Sequence, residues 1–246
     1  MPYLTVRDYR MYYEDHGTGD PLVLLHSGLA TSAQWVPFIP VYARRYRVLA
    51  TDRRAYGRSD PRPGFAAGYL QEDASDLATF LDLLGITGAR VLGHSDGGTV
   101  ALLLAAARPD LVRSMVLVAA HTHAEEKTLQ GLRRAQALLQ SSPAQRERLV
   151  RHLGPGGPAL AEAWYAHWLD PKQQGLEIRE LIRSIRVPTL VIQGIDDEFA
   201  TPAHAEGIAR AIPGAELWLI PNCGHNPQFQ MPEAFNEKVL GFLGEH

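Results

Sequence analysis

The stretch Gly93-His94-Ser95-Asp96-Gly97 sets a serine between two glycines with one residue on either side. At average glycine and serine usage such a pattern arises by chance in roughly one chain of this length in ten, so it carries little weight alone. Its setting adds the weight. The apolar run 89–92 comes directly before it and the helical run 99–107 directly after, which puts the serine on a strand-to-helix turn with its hydroxyl above the sheet edge. A serine hydroxyl is a poor nucleophile at neutral pH and needs an adjacent base held in the right tautomer by a third group. Asn222-Cys223-Gly224-His225-Asn226 offers the base, and Gly194-Ile195-Asp196-Asp197-Glu198 offers acids. Each follows a short apolar run, so both loops leave the same sheet edge as Ser95. Attack on a carbonyl builds charge on oxygen, which backbone N–H groups can stabilise. The N–H groups of Asp96 and of Gly28, in His26-Ser27-Gly28-Leu29, are placed for that task.

These loops converge only if the strands beneath them form one doubly wound sheet. Short apolar runs at 22–25, 48–50, 89–92, 115–120, 189–192 and 217–220 alternate with longer stretches of helical period, the pattern of a mainly parallel sheet covered by helices. Residues 3–6 and 11–14 predict an antiparallel pair at the sheet edge, for about eight strands in all. Leu77, Phe80, Leu81 and Leu84, and again Phe235, Val239, Phe242 and Leu243, mark amphipathic helices with one face on the sheet. Residues 121–185 break the rhythm: they hold no convincing strand, a helix start at Ser142-Pro143 and the interruption Gly154-Pro155-Gly156-Gly157-Pro158. The expected organisation is a core of residues 1–120 and 186–246 with a small helical lid at 121–185, over the edge where such sheets bind ligands. Trp164 and Trp168, one helical turn apart, pack this lid onto the body and are candidates to line a substrate pocket together with Leu29.

The chain has 246 residues, 46% hydrophobic and 21% charged, which suits a folded globular protein with a closed core. A net charge of -3 gives no basic field for nucleic acid or an anionic membrane. The local clusters Arg44, Arg45, Arg47 and Arg53, Arg54 read as solvated strand and helix ends. No apolar run approaches the roughly 20 residues of a membrane span, and the polar start lacks a signal-peptide core, so a cytoplasmic protein is expected. With a single cysteine, Cys223, no intrachain disulfide and no cysteine-based metal cluster can form. No metal and no cofactor are expected. The partners expected are a small-molecule ester substrate and, at most, a second copy of the chain, as monomer or homodimer.

Across essentially its whole length the chain resembles the α/β-hydrolase fold proteins. The motifs that carry the likeness are His26-Ser27-Gly28, Asp52-Arg53-Arg54-Ala55-Tyr56-Gly57-Arg58-Ser59, Gly93 to Gly97, Gly194 to Asp197 and Gly224-His225, in that family's order. Ser27 and Ala55 stand where the family usually has glycines. The resemblance implies a Ser95, Asp197, His225 triad, and its G-x-x-D spacing selects Asp197 over Asp196. Serine rather than aspartate at the nucleophile sets dehalogenases and epoxide hydrolases aside. Ser95-Asp96-Gly97-Gly98, Gly224-His225-Asn226 and Glu233-Ala234-Phe235-Asn236 are most similar to the valacyclovir hydrolase, or biphenyl hydrolase-like, group. That likeness implies hydrolysis of small carboxylic esters, with α-amino-acid esters as one option in which Asp96 binds the substrate ammonium. The rival expectations are cleavage of a carbon–carbon bond or an enol-lactone by the same triad, and a weakly catalytic receptor for a small molecule.

Overall fold

The computed structural model describes residues 3–171 and 176–246. The first two residues of the expected core, and residues 172–175 of the expected insertion, lie outside the described residues. The strands are β1 Tyr3–Val6, β2 Tyr9–His16, β3 Pro21–Leu25, β4 Arg47–Thr51, β5 Ala89–His94, β6 Val112–Val118, β7 Thr189–Gly194 and β8 Glu216–Ile220, in the spatial order β1-β2-β4-β3-β5-β6-β7-β8. The β1–β2 and β2–β4 pairs are antiparallel and the remaining ladders parallel, as the two-part strand pattern predicts. All of β5 and β7 is buried, because helices cover both faces of the parallel strands.

Alternation along the strands sorts the core into two layers. Leu22 and Leu24 of β3 point to one face, where α1 (Ile39–Tyr42) and α9 (Pro232–Glu245) supply Ile39, Tyr42, Phe235, Val239, Phe242 and Leu243. Val23 and Leu25 point to the other face, covered by α2 (Tyr69–Leu83), α3 (Asp96–Ala107) and α7 (Pro202–Ala211). The predicted stripes hold. Leu77, Phe80 and Leu81 are buried in α2, while Leu84 caps its end and is half-buried.

Between β6 and β7 come α4 (Glu126–Ser141), α5 (Pro143–Leu153) and α6 (Gly157–Leu169). Ser142 caps α5 by accepting from the Gln145 N–H, and Pro143 occupies the first turn, where its missing N–H costs nothing. An isolated antiparallel bridge between His123 and Glu177 is the one β feature here among the described residues. α8 (Pro227–Gln230) follows the loop that carries His225. No helix among the described residues is long and apolar enough to cross a membrane.

The strand order creates the site. The chain passes from β3 outward to β4 and then returns to β5 on the other side of β3, so the loops leaving β3 and β5 diverge to opposite faces and open a crevice between them. Leu25 and Gly93 are paired in the ladder, which brings the Gly28 loop and the Ser95 turn side by side.

Candidate active site

Ser95 adopts φ 56° and ψ −120°, a sparsely populated conformation that for a residue with a side chain costs roughly 1–3 kcal/mol. Several constraints hold it there. Its N–H donates to Val118 O at 2.8 Å, and its carbonyl accepts from Gly98 and Thr99 at 2.9 and 3.1 Å. The turn is possible because position 97 has no side chain: a Cβ on Gly97 would come 2.5 Å from the Leu25 carbonyl oxygen, which is backbone and cannot yield. The hydroxyl therefore stands at the N-terminus of α3, the positive end of a helix dipole.

His225 leaves β8 in a loop that must travel back across the ends of β7 and β6. It does so over Gly194, where a Cβ would lie 2.2 Å from the Cys223 oxygen. The loop is fixed by Gly224 N–H to Gln230 Oε1 at 2.8 Å and His225 N–H to Glu198 Oε2 at 3.0 Å. At its far side His94 Nε2 meets the His225 carbonyl at 2.9 Å, while Gln34 Nε2 lies 3.0 Å from His94 Nδ1. This arrangement puts the proton on Nε2, and burial, reinforced by His225, pushes the His94 ring down to about 3. His94 is thus a neutral strut between the Ser95 turn and the loop that carries His225.

His225 Nδ1 and Asp197 Oδ2 are 2.8 Å apart. Asp197 is fully buried, and its other partners are the Phe199 and Ala200 N–H groups at 2.7 and 3.2 Å and Gln193 Nε2 at 2.7 Å. Burial raises the Asp197 carboxyl, but the His225 charge and hydrogen bond and the two backbone donors outweigh it and hold the group below its ordinary value. A buried, ionised carboxylate on Nδ1 leaves Nε2 as the free nitrogen, which is the tautomer a general base requires. Asp196, one residue earlier, is exposed.

Gly28 and Asp96, the two candidate oxyanion donors, both line the cavity beside Ser95. Asp96 is the first residue of α3, so its N–H has no carbonyl partner within the helix. The Ser27 carbonyl is held from behind by Arg53 Nη2 at 2.9 Å and His26 Nδ1 at 2.7 Å. Because N–H and C=O of a trans peptide point in opposite directions, the Gly28 N–H is turned the other way. His26 completes the support by accepting from the Arg53 N–H through Nε2 at 3.1 Å, and burial keeps its ring neutral.

Arg53 differs from the sequence expectation. It is 3% exposed rather than solvated, because it pairs with Asp73 at 2.8 Å, stacks its guanidinium 4.6 Å from the Tyr56 ring and lies 3.9 Å from Asp96. Arg44 and Arg45 are exposed, while Arg47 and Arg54 are half-buried and paired with Asp15 and Asp8. The Asp96 carboxylate is itself fully buried. Oδ2 accepts from Tyr69 Oη at 2.7 Å and Trp164 Nε1 at 3.1 Å, and Oδ1 lies 3.2 Å from His121 Nε2. Burial works against its charge, but His121, Arg53 and Tyr69 together hold it well below the ordinary carboxylate range. Trp168 donates to the same Tyr69 oxygen at 3.0 Å. The two tryptophans therefore anchor α6 to the body, and with Leu29 they also line the cavity. Among the residues to which the sequence assigned no part in the site, His94 and Arg53 lie inside the recognised motifs. Tyr69, His121 and Gln193 carry no local signal.

Ser95, His225, Gly28 and Asp96 open onto one cavity of about 710 Å³, walled on its outer side by residues of α4, α5 and α6. A serine on a strained turn and an imidazole oriented by a buried carboxylate, opening onto one cavity, are parts from which a hydrolytic site can be built.

Fold and site together define a hydrolase class, and comparison of sequences agrees: the alpha/beta hydrolase family matches residues 22–238, and the chain belongs to it. Among its relatives, the serine hydrolase BPHL of Mus musculus is 28% identical over 254 residues, covering 98% of this chain and 85% of that protein. The 2-hydroxy-6-oxononadienedioate/2-hydroxy-6-oxononatrienedioate hydrolase of Cupriavidus pinatubonensis is 28% identical over 286 residues, covering 98% and 94%. A hydrolase from Pseudomonas aeruginosa PA01 of known structure superposes with a TM-score of 0.78 at 28% identity, covering 98% and 97%. The resemblance to the biphenyl hydrolase-like group read from the sequence is thereby borne out.

Proposed function

We propose that this hydrolase cleaves small carboxylic esters through an acyl-enzyme intermediate. The observation that carries this reading is the 2.8 Å contact of buried Asp197 with His225 Nδ1, beside a serine held at φ 56°. In the proposed sequence His225 Nε2 takes the Ser95 proton as Oγ attacks the carbonyl carbon. The oxyanion is met by the Gly28 and Asp96 N–H groups, and His225 returns the proton to the departing alkoxide. Water then attacks the acyl-enzyme by the same route and regenerates Ser95. In this reading α4 to α6 act as the lid that shelters these steps from bulk water.

α-Amino-acid esters find little support in the geometry. Both Asp96 oxygens are already engaged by Tyr69, Trp164 and His121, so a substrate ammonium would have to displace one of them. The Cupriavidus relative favours a second reading, hydrolysis of a carbon–carbon bond next to a ketone on the same triad.

A panel of p-nitrophenyl esters of rising acyl length, run beside a 2-hydroxy-6-oxo-dienoate, separates the two readings. Multiple turnovers on the esters with little on the dienoate support the proposal, and the reverse favours the second reading. A fluorophosphonate should label the wild type, and Ser95→Ala should lose labelling and, as triad knockouts do, roughly six powers of ten in kcat. Equal labelling of both proteins overturns the role of Ser95.

A further inference from the structure

The outer wall of the cavity includes one face of α5. Gln145, Arg148, Leu149 and His152 all line it, and their spacing of three, four and seven puts them on a single side of that helix. Arg148 is the one Lys or Arg among the lining residues, and Asp96 the one carboxylate. Asp96 is buried and already bonded, so it cannot neutralise a cation across the cavity. Arg148 makes no hydrogen bond or ion pair with the described residues. Its neighbours on the same helix do: Arg146 donates to the Leu139 carbonyl at 3.2 Å and Arg151 lies 4.0 Å from Glu147. The cavity that Ser95 lines thus also presents an unneutralised guanidinium from α5.

We propose that Arg148 makes this site selective for acyl substrates that carry a carboxylate at the end remote from the scissile bond. A guanidinium offers two parallel N–H donors that match a carboxylate, and Gln145, three residues earlier on the same face, adds an amide donor. Between the two ends the substrate passes apolar walls at Leu149, Leu132 and Leu29, which suit a short aliphatic or unsaturated chain. Because Arg148 is exposed at the cavity mouth, its pull on the anion is open to screening by salt.

This inference rests on the hydrolase reading for its turnover arm but not for its binding arm. The turnover arm compares kcat/KM for mono-p-nitrophenyl adipate with that for its methyl ester, which differs only in lacking the distal charge. The wild type should favour the acid by about tenfold, the scale of one charge-assisted hydrogen-bonded contact. The ratio should fall toward one in Arg148→Gln, invert in Arg148→Glu, be largely kept in Arg148→Lys and shrink in 0.5 M salt, a concentration at which the Debye length is about 4 Å. A wild-type ratio near one, or a ratio that survives in Arg148→Gln, overturns the proposal. The binding arm uses Ser95→Ala protein and titration calorimetry with monomethyl adipate and dimethyl adipate. Tighter binding of the acid that Arg148→Gln abolishes supports the proposal even if neither ester is turned over. Equal binding of the two overturns it. Failure of the hydrolase reading shows separately, as absence of fluorophosphonate labelling at Ser95.

Discussion

Asp196 and Asp197 are adjacent acids with opposite fates, and the difference is one of direction. Successive side chains leaving a strand point to opposite sides, so Asp197 turns inward onto His225 while Asp196 faces solvent. Asp197→Asn keeps the shape but disturbs the charge and the donor pattern that hold the imidazole in its working tautomer. It should cost roughly four powers of ten in kcat. Asp196→Asn should stay within a few-fold of wild type, and steady-state kinetics on a p-nitrophenyl ester decides between them. The opposite ranking would assign the orienting role to Asp196. Ala55 shows the other side of residue-scale reading. It stands where the family's turn usually has glycine, and its φ of 79° is the conformation for which glycine is favoured.

At the scale of elements, the contact that matters most joins α6 to α3. Trp164 Nε1 is shared between the Asp96 carboxylate and Tyr69, 3.1 Å from each, and Gly28 lies beneath the indole. One side chain therefore braces both residues proposed to receive the oxyanion. Trp164→Phe keeps most of the ring and removes only the donor. A lost hydrogen bond to a buried charge is worth about 1.5–3 kcal/mol, so the variant should melt several degrees lower. If the indole positions the oxyanion site, kcat should fall about tenfold while KM changes little. A rise in KM with unchanged kcat would show that Trp164 serves only as pocket wall. A second tie joins the start of α4 to the start of α7: His204 Nδ1 lies 2.6 Å from Glu125, and His204 Nε2 accepts from the Thr122 N–H at 2.8 Å. Both ring nitrogens are used, which fixes His204 as neutral structural cement.

For the molecule as a whole, such neutral buried histidines set the response to acid. Burial above all pushes His94 down to about 3 and His204 to about 4, and holds His26 well below its ordinary value. The unfolded chain takes up a proton on each below about pH 6.5, whereas the folded protein does not. Their contribution is therefore complete above pH 6.5 and is lost as the pH falls toward 4, at up to about 1.4 kcal/mol per pH unit for each ring. Burial also raises Asp76 to about 6, and raises Asp52, which works in the opposite direction over part of the same range. Three rings against two carboxylates leave a net loss. Calorimetric Tm should fall steadily from pH 7 to pH 5, and His204→Gln should flatten that slope by about one proton. A Tm that does not move over this range would mean that these rings protonate without unfolding the chain.

Strand and helix alternation, the strand-to-helix turn at Ser95 and the chain order of Ser95, Asp197 and His225 are legible in the sequence because each rests on local rules. Those rules are the period of apolar side chains, the turn chemistry of glycine and the sheet edge from which a loop leaves. The rest depends on which loops cross, and no local pattern records that. His94 meets the His225 carbonyl from 131 positions away, and Trp164 reaches Asp96 from 68. Arg53 looks like a solvated strand end until Asp73 and Tyr56 close over it, and Asp96 looks available to a ligand until Tyr69, His121 and Trp164 take up its oxygens. Burial and pairing are properties of neighbours in space. That is why the strand-to-helix turn that carries Ser95 could be read from a pentapeptide, while the charge lining of the cavity beside it required the folded chain.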